Sequence, residues 1–312
     1  MAVYSIVTPD LAQTLFDKLE LGIITHLQGC QGGIENTNYF ASSAHGDFVL
    51  TIFERLTFEQ LPFYLHLMKH LAGKGIPVPD PQADPQGEIL HALLGKPATL
   101  VNKLPGKSQL APQVQHCAAV GNMLARMHLA AQDLPRQQAN LRGLAWVKET
   151  LPSILPFLQE EQAALLKRTV AEQEQLQQTA AYAALPSGAI HADLFRDNVM
   201  FVGDELTGFF DFYFAGIDAF VFDIAICLND WCIDHVSGVS DAARVQAFID
   251  AYNAVRPLSA TEREMLPAMR RAGALRFWTS RLWDLHLPRD AAMLQAHDPS
   301  HFERVLTHLE SQ

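Results

Sequence analysis

Cysteine is scarce in this chain, whose 312 residues include only four, namely Cys30, Cys117, Cys227 and Cys232. No two of them form a C-x-x-C pair, and none has a histidine at the spacing of a zinc site. A disulfide framework and a structural zinc site are therefore not expected. The four thiols are interpreted as small buried apolar groups.

Long apolar runs are missing as well. The first residues lack the basic region and the apolar core of a signal peptide. The most apolar stretch, residues 206–228, is interrupted by Asp211, Asp218 and Asp223, which argues against a membrane span. The sequence therefore predicts a cytoplasmic protein without a membrane partner.

Basic residues are outnumbered, since 23 Lys and Arg face 34 Asp and Glu and the formal net charge is −11. With no basic cluster, a nucleic-acid partner is not expected. The charge does not exclude a nucleotide, because a local Mg²⁺ site can bind phosphates on an acidic protein. The apolar content of 49% is sufficient for two lobes.

The periodicity of apolar residues differs between the two parts of the chain. The first part predicts a helix over 1–20, a helix that a capping box opens at 57, and strands at 21–28, 36–41, 48–53, 88–93 and 98–104. The second part predicts helices at 112–131, 144–157, 160–184, 220–233, 241–255, 261–285 and near 290–310. We expect an α+β fold with a small antiparallel β lobe (residues 1–104), a large, mainly helical lobe (residues 105–312), and a ligand site in the cleft between them.

One short segment, His191-Ala-Asp193-Leu-Phe-Arg-Asp-Asn198, combines a carboxylate and an amide in a fixed spacing. Two predicted strands, 198–202 and 206–210, follow it, and the second ends at Asp211. This layout resembles the catalytic loop of kinases, in which one Asp orients the acceptor hydroxyl while an Asn and a second Asp hold Mg²⁺. We refer to this segment as the 191–198 loop.

Glycines are concentrated between the first two predicted strands, at Gly29, Gly32 and Gly33. Glycine lets backbone N–H groups approach phosphate oxygens, so this turn is a candidate cover for a nucleotide. The spacing is neither G-x-G-x-x-G nor a Walker loop. By itself it is also typical of an ordinary hairpin turn, and its place ahead of the 191–198 loop favours the phosphate-covering interpretation.

These features together resemble the aminoglycoside-phosphotransferase-like family, which has a protein-kinase-like fold, and within it the bacterial homoserine kinases. The resemblance covers nearly the whole chain. Besides the 191–198 loop and Asp211-Phe-Tyr-Phe214, it rests on five segments: Gly33-Ile-Glu-Asn-Thr-Asn-Tyr-Phe40, Phe48-Val-Leu-Thr-Ile-Phe-Glu54, Gly95-Lys-Pro-Ala98, Asn229-Asp-Trp-Cys232 and Ala274-Leu-Arg-Phe-Trp278.

The resemblance implies transfer of the ATP γ-phosphate to the side-chain hydroxyl of L-homoserine, with ATP and Mg²⁺ required, by a monomer or homodimer. Asp193 would be the catalytic base, and Asn198 and Asp211 would bind Mg²⁺. His191 would brace the loop without donating a proton. The nucleotide would be covered by the turn containing Gly29, Gly32 and Gly33, and adenine would stack near Val101, Asn102 and Lys103.

Two positions depart from the general kinase pattern. Thr51 stands near the place of the lysine that usually pairs with the phosphates, so that Arg55, Lys103 or the metal alone would have to replace it. In Asp211-Phe212-Tyr213 the usual D-F-G glycine is absent, which argues against an activation switch. Asp223 is interpreted as a brace for the backbone of the 191–198 loop.

Homoserine is a zwitterion, so its pocket requires a carboxylate and a cation. Asp230 is a candidate partner for the ammonium, and Arg276 or Arg281 for the carboxylate, since arginine binds carboxylates with two parallel hydrogen bonds. The same charges could instead form a structural salt bridge. Other acceptors (hydroxylysine, choline, ethanolamine, an aminoglycoside or a sugar) and a non-catalytic nucleotide-binding scaffold also remain open.

Overall fold

The computed structural model describes residues 5–30, 36–287 and 297–310. The chain divides into a first unit, Met1–Pro105 with Gly208–Tyr213, and a second unit, Gly106–Thr207 with Phe214–Gln312. The main boundary lies one residue beyond the expected one. The separate segment Gly208–Tyr213, which contains Asp211, was expected in the helical lobe and belongs to the first unit instead.

The first unit is built on a five-stranded antiparallel sheet with strand order β1-β2-β3-β5-β4. The strands are β1 (Ile24–Gly29), β2 (Asn36–Ser43), β3 (Gly46–Phe53), β4 (His91–Leu93) and β5 (Lys96–Asn102). Helix α1 (Pro9–Lys18) precedes the sheet and α2 (Pro62–Gly73) follows β3. The five predicted strands and the inserted helix are therefore confirmed.

Both helices of the first unit begin at residues that suit a helix start. The Thr8 hydroxyl accepts a hydrogen bond from Leu11 N (3.3 Å) and caps α1. The predicted start of α2 at residue 57 is wrong, because Thr57 and Gln60 close a separate turn in which Gln60 Oε1 accepts from Thr57 N (3.0 Å). The helix begins at Pro62, whose missing N–H and fixed φ suit a first helical position.

The segment Gly208–Tyr213 is held in the first unit by backbone and ring contacts. Phe209 N donates to the Pro77 carbonyl (3.0 Å), and a Cβ at Gly208 would also lie 3.0 Å from that oxygen. The Tyr213 ring meets those of Phe53 and Tyr64 edge-on, with centroids 5.1 and 6.0 Å away. Sequence periodicity carries no sign of these contacts, since they join residues far apart in the chain.

The second unit is mainly helical. Its helices are α3 (Val114–Ala130), α4 (Leu144–Ile154), α5 (Glu160–Gln177), α6 (Ala180–Ala183), α7 (Phe220–Trp231), α8 (Ala242–Val255), α9 (Ala260–His286) and α10 (Ser300–Glu310). Its strands are β6 (Lys107–Ser108), β7 (Ser187–Ile190), β8 (Val199–Val202), β9 (Glu205–Phe209) and β10 (Gly216–Ala219), and the last two residues of β9 belong to the first unit. The predicted α+β class is confirmed.

Two short antiparallel pairings of the second unit were not predicted. Strand β6 pairs with β8, and β10 pairs with β7 so that Gly216 faces Ile190. These strands are too short for a clear alternation of apolar and polar residues. Their importance is positional, because β7 leads directly into the 191–198 loop.

Helix α7 lies at the centre of the second unit, and all of its residues are buried. It packs on α9, where a Cβ at Gly273 would lie 3.4 Å from Asn229 Nδ2. Asn229 Nδ2 donates to the Arg270 carbonyl (2.7 Å), and Arg270 Nε donates to Asn229 Oδ1 (3.0 Å). This reciprocal pair fixes the register of the two helices. Among the described helices, none is long and apolar enough to cross a membrane.

A buried histidine gives the second unit a predictable acid sensitivity. His301 is 5% exposed and stacks on His235, with centroids 4.8 Å apart. Burial, together with the nearby charges of Arg281 and His235 and against that of Asp230, lowers the pKa of His301 to about 4. The unfolded chain binds this proton below about pH 6.5, so the free energy of unfolding is expected to fall between pH 6.5 and 4 by up to about 3 kcal/mol and to change little below that on this account.

Urea unfolding at pH 7 and pH 4.5 checks this prediction. His301→Gln should lose part of the pH dependence, because a glutamine has no proton to gain. His26→Gln, at an exposed histidine in β1, is the control and should keep all of it. Equal pH dependence in the wild type and His301→Gln would contradict the prediction.

Candidate active site

The backbone of the 191–198 loop is fixed by one carboxylate. Ala192 has φ +62°, a left-handed conformation that non-glycine residues seldom adopt. Asp223, in the first turn of α7, accepts hydrogen bonds from His191 N (2.8 Å) and Ala192 N (2.9 Å). The structure thus places Asp223 at the loop backbone, as its interpretation from the sequence required.

The proposed catalytic residues lie together at the turn that follows. Asp193 N donates to His191 Nδ1 (3.3 Å), so the buried imidazole is bonded to the loop backbone. Asn198 Nδ2 donates to the Asp193 carbonyl (2.8 Å) and lies 3.5 Å from Asp193 Oδ2. Because the amide nitrogen faces the loop, the Asn198 Oδ1 atom points the other way and is suited to bind a cation.

Behind Asp223 lies a fully buried histidine that sequence reasoning missed. His128, on α3, has Nε2 at 3.0 Å from Asp223 Oδ2 and Nδ1 at 2.7 Å from the Tyr252 hydroxyl. Burial lowers the pKa of His128 and outweighs the opposing effect of Asp223. The ring is therefore neutral, and because a carboxylate only accepts, Nε2 carries the proton.

The chain of hydrogen bonds continues to the start of α9. Arg256 Nη1 lies 3.3 Å from the Tyr252 hydroxyl and 2.8 Å from Glu262 Oε1, and Arg256 and Glu262 are both buried. Since arginine only donates, the Tyr252 oxygen accepts from Arg256 and its own proton goes to His128 Nδ1. Each donor and acceptor is thus assigned, and the chain holds Asp223 against the loop.

Tyr252→Phe is expected to lower kcat by about tenfold, with little change in the KM for ATP. The change removes the donor to His128 Nδ1, which loosens the orientation of Asp223 and of the loop that carries Asp193. Steady-state kinetics together with the ¹⁵N shifts of the His128 ring would measure the effect. In the variant, the ¹⁵N shifts should report a mixture of the two neutral tautomers of the His128 ring, because Nδ1 no longer accepts a hydrogen bond from Tyr252.

Tyr39→Phe is the matched control for this prediction. The Tyr39 hydroxyl, in the first unit, accepts from Val7 N (3.0 Å) and donates to the Ser5 carbonyl (3.1 Å). Its loss, like that of the Tyr252 hydroxyl, should cost about 1–2 kcal/mol of stability. Its kcat should be unchanged. Equal kcat losses in the two variants would show that Tyr252 acts only through global stability.

Asp230 holds the other side of the 191–198 loop. Its Oδ2 accepts from Arg196 N (2.8 Å) and Arg196 Nε (3.3 Å), and Arg196 Nη2 also bonds the Asp230 carbonyl. Trp231 Nε1 donates to the Leu194 carbonyl (2.9 Å) beside it. Asp230 therefore forms a structural salt bridge, but with Arg196 and not with Arg276 or Arg281, the arginines considered from the sequence.

Arg276 is a buried cation for which the structure shows no ion pair with the described residues. It is 4% exposed and its guanidinium lies over Phe277 (3.7 Å) and Phe214 (5.0 Å). Its Nη2 has no hydrogen-bond partner among the described residues. Burial lowers the pKa of Arg276 to about 10, against the nearby charge of Asp193, which raises it. The side chain therefore remains cationic at neutral pH.

Arg281 is engaged elsewhere. Its Nη1 donates to the Asp298 carbonyl (3.0 Å), and its guanidinium lies 4.5 Å from the centre of the Phe302 ring. The two arginines, which the sequence could not distinguish, thus differ in the number of partners that the structure gives them.

The predicted metal ligands offer oxygen atoms of the kind that Mg²⁺ prefers. Asp211 lies two residues after the end of β9, in the first unit, and has φ +68°. No group of three or more His, Cys, Asp or Glu suited to a metal occurs within residues 5–30, 36–287 and 297–310. Mg²⁺ is usually bound by one or two carboxylates together with substrate phosphates, and the Asp211 carboxylate and the Asn198 Oδ1 atom are each an oxygen donor of the kind that this ion takes.

The predicted nucleotide residues lie on strands of the first unit. Gly29 ends β1, whereas Gly32 and Gly33 lie outside the described residues. Val101 pairs with Val49 of β3, and the Asn102 side chain accepts a hydrogen bond through Oδ1 from Asp80 N (2.6 Å). The Asn102 side chain is therefore occupied by the first unit itself.

The position of the usual lysine is polar but uncharged. The Thr51 hydroxyl donates to Asn38 Oδ1 (2.7 Å), so it closes a cross-strand pair between β2 and β3. Lys96 forms an ion pair with Glu54. Lys103, one of the cations considered from the sequence, lies with Nζ 4.4 Å from the centre of the Phe40 ring.

The sequence matches the model of the phosphotransferase enzyme family over residues 26–265. It is 63% identical over 306 residues to homoserine kinase from Polaromonas naphthalenivorans (strain CJ2), covering 98% of this chain and 97% of that protein. It is 58% identical over 316 residues to homoserine kinase from Cupriavidus necator, covering 98% and 95%.

Solved structures share the fold at much lower identity. Amicoumacin kinase hAmiN in complex with AMP-PNP, Ca²⁺ and Ami has a TM-score of 0.70 at 18% identity, covering 96% of this chain and 93% of that one. Choline kinase LicA from Streptococcus pneumoniae has a TM-score of 0.65 at 13% identity, covering 97% and 100%. These similarities confirm the predicted kinase-like fold.

Proposed function

Because the chain belongs to the phosphotransferase enzyme family, we propose that it is an ATP-dependent kinase that transfers the γ-phosphate to the side-chain hydroxyl of L-homoserine. The product is O-phospho-L-homoserine, a precursor of threonine. The observation that carries this proposal is the full-length identity of 52–63% to homoserine kinases. The pairing of Asp193 with Asn198 on a braced loop supports the phosphotransfer chemistry.

The proposed mechanism is in-line phosphoryl transfer. Asp193 accepts the proton of the acceptor hydroxyl and orients its oxygen toward the γ-phosphorus. Asn198 and Asp211 would hold Mg²⁺, which would neutralise charge on the phosphates when bound. His191, whose Nδ1 accepts from Asp193 N, keeps the loop in position and transfers no proton. Most of the acceleration comes from positioning and charge neutralisation.

We propose that Gly29, Gly32 and Gly33 cover the phosphates and that adenine stacks near Val101 and Asn102. In this assignment the Asn102 backbone contacts the base, since its side chain is bonded to Asp80. Lys103 or Arg55 takes the role of the missing lysine. The enzyme works in the cytoplasm as a monomer or homodimer, and its formal net charge of −11 supports small-molecule substrates over nucleic acid.

For the acceptor carboxylate we favour Arg276 over Arg281, because Arg276 Nη2 lacks a partner among the described residues, whereas Arg281 Nη1 donates to the Asp298 carbonyl. Arg276→Gln is expected to raise the KM for homoserine by about 100-fold and to leave the KM for ATP nearly unchanged. Arg281→Gln is the matched control from the same helix, with an expected change of only a few fold. The reverse ranking would assign the carboxylate to Arg281.

The test of the function is a coupled ADP-release assay with Mg-ATP and L-homoserine, L-serine, hydroxylysine, choline, ethanolamine or kanamycin as acceptor. We expect release with L-homoserine, and ³¹P NMR should identify its phosphate ester. Release with a different acceptor only would keep the phosphotransfer and replace the substrate. No release with any acceptor would favour a non-catalytic nucleotide-binding scaffold.

A further inference from the structure

The peptide groups in the middle of the 191–198 loop are bonded to the C-terminal end of α7. The Leu194 carbonyl accepts from Trp231 Nε1 (2.9 Å), and Arg196 N donates to Asp230 Oδ2 (2.8 Å). Asp230 and Trp231 are both buried. The two bonded peptide groups lie between the proposed catalytic base and the proposed metal ligand of the loop, so their position sets the spacing of those two side chains.

The Arg196 side chain joins the loop to two other parts of the second unit. Its Nε donates to Asp230 Oδ2 (3.3 Å), its Nη2 bonds the Asp230 carbonyl, and its Nη1 donates to the Leu110 carbonyl (2.9 Å). The side chains of Arg196 and Asp230 are only 11% and 7% exposed. Because the donors of a guanidinium are fixed in one plane, these three bonds together hold the side chain in a single orientation.

Helix α7 thus fixes both halves of the loop from its two ends. Asp223, in its first turn, accepts from the backbone of the first half of the loop, and Asp230, in its last turn, accepts from the second half. The Ser108 hydroxyl adds a bond to the Asp197 carbonyl (2.8 Å) from strand β6, which pairs with β8. Loss of the contacts at the end of α7 should therefore displace the second half of the loop relative to the first.

We propose that Arg196 and Asp230 are positioning residues for phosphoryl transfer, which act as one ion pair to hold Asp193 and Asn198 at their catalytic spacing. The inference rests on the proposed function, and it gives Asp230 a role other than the ammonium partner that the sequence suggested. A displacement of about 1 Å in a reacting group can cost about 10²-fold in rate. The ion pair should therefore affect kcat far more than the KM of either substrate.

The test is a double-mutant cycle on kcat, measured with Mg-ATP and L-homoserine. Arg196→Met and Asp230→Asn should each lower kcat by about 10²-fold and change the KM for ATP and for homoserine by no more than a few fold. The double variant should also lose about 10²-fold, instead of about 10⁴-fold for independent residues, because the two side chains act as one pair. Rates are expressed per folded molecule, with the folded fraction taken from urea unfolding of each variant.

The matched control is an ion pair of the same design in the first unit, between Lys18 Nζ and Asp84 Oδ2 (3.1 Å). Asp84 is buried as well, and its Oδ1 accepts from the backbone of its own loop at Gln86 N (3.0 Å) and Glu88 N (2.9 Å). Lys18→Met and Asp84→Asn remove comparable bonds away from the 191–198 loop. They should lower stability and leave kcat per folded molecule within a few fold of the wild type.

Arg196→Lys keeps the test decisive if Arg196→Met does not fold, because it retains the charge and loses only the planar set of donors. Its kcat should lie between those of the wild type and Arg196→Met. An unchanged kcat in the variants of the pair, losses that multiply in the double variant, or an equal loss in the first-unit controls would overturn the proposal. A raised KM for homoserine at unchanged kcat in Asp230→Asn would return Asp230 to the ammonium. A wild type that does not phosphorylate homoserine would instead refute the proposed function.

Discussion

Replacing Asp193 by Asn is expected to lower kcat by about three orders of magnitude and to leave the KM for ATP nearly unchanged. General-base assistance contributes roughly 10²–10⁴ to a rate, and an amide can hold the acceptor hydroxyl but cannot take its proton. The change is nearly isosteric, so the contact between Asn198 Nδ2 and the backbone carbonyl of residue 193 should survive. Rapid-quench measurement of the phosphorylated product would isolate the chemical step.

The control is Asp197→Asn, which changes a carboxylate of the same loop. Asp197 is exposed, and its backbone carbonyl accepts from the Ser108 hydroxyl (2.8 Å), a bond that the substitution does not touch. Its kcat should remain within a few fold of the wild type. If Asp193→Asn turned over at a near-normal rate, Asp193 would lose its role as the base.

Replacing Asp211 by Asn is expected to lower kcat/KM for Mg-ATP by roughly 10²–10⁴, because one of the two proposed protein ligands of the ion loses its charge. The apparent affinity for Mg²⁺ should weaken in parallel, which distinguishes a metal ligand from a residue that only supports the fold. Titration of Mg²⁺ at fixed ATP, with ADP release as the readout, measures both effects. At saturating Mg²⁺ part of the activity should return.

Asp204→Asn is the matched control for the metal experiment. Asp204 lies in the turn between β8 and β9, where its exposed carboxylate accepts from His116 Nε2 (2.9 Å). The variant should show the Mg²⁺ dependence of the wild type. If Asp211→Asn did the same, the proposed metal site would have to be abandoned.

Local sequence patterns predicted most of the features that depend on residues close together in the chain. The spacing within the 191–198 loop predicts that Asp193 and Asn198 lie close together, since both belong to one turn. The contacts from Asn198 Nδ2 to Asp193 agree with this prediction. The start of α1 was predictable for the same reason, because Thr8 caps a helix that begins at the next residue. In both cases the cause and the effect lie within a few residues.

The parts that the sequence did not predict depend on contacts between distant residues. Asp223 was interpreted from the sequence, but its partners His128 and Tyr252 lie on two other helices, and each alone looks like an ordinary member of its helix. The sequence analysis considered only Arg276 and Arg281 beside Asp230, and its actual ion-pair partner, Arg196, lies in the 191–198 loop. A buried charge without an ion pair among the described residues, such as that of Arg276, can be recognised only when the surrounding packing is known.

The return of Gly208–Tyr213 to the first unit has a consequence for the order in which the chain acquires structure during synthesis. The residues up to Pro105 emerge first, but Phe53, Tyr64 and Pro77 meet their partners only after Tyr213 has been made. At a synthesis rate of about 5–20 residues per second, this leaves those contacts open for roughly 5–20 s. A nascent chain stalled at residue 105 should therefore be cleaved readily by protease, and adding residues 208–213 in trans as a peptide should protect it.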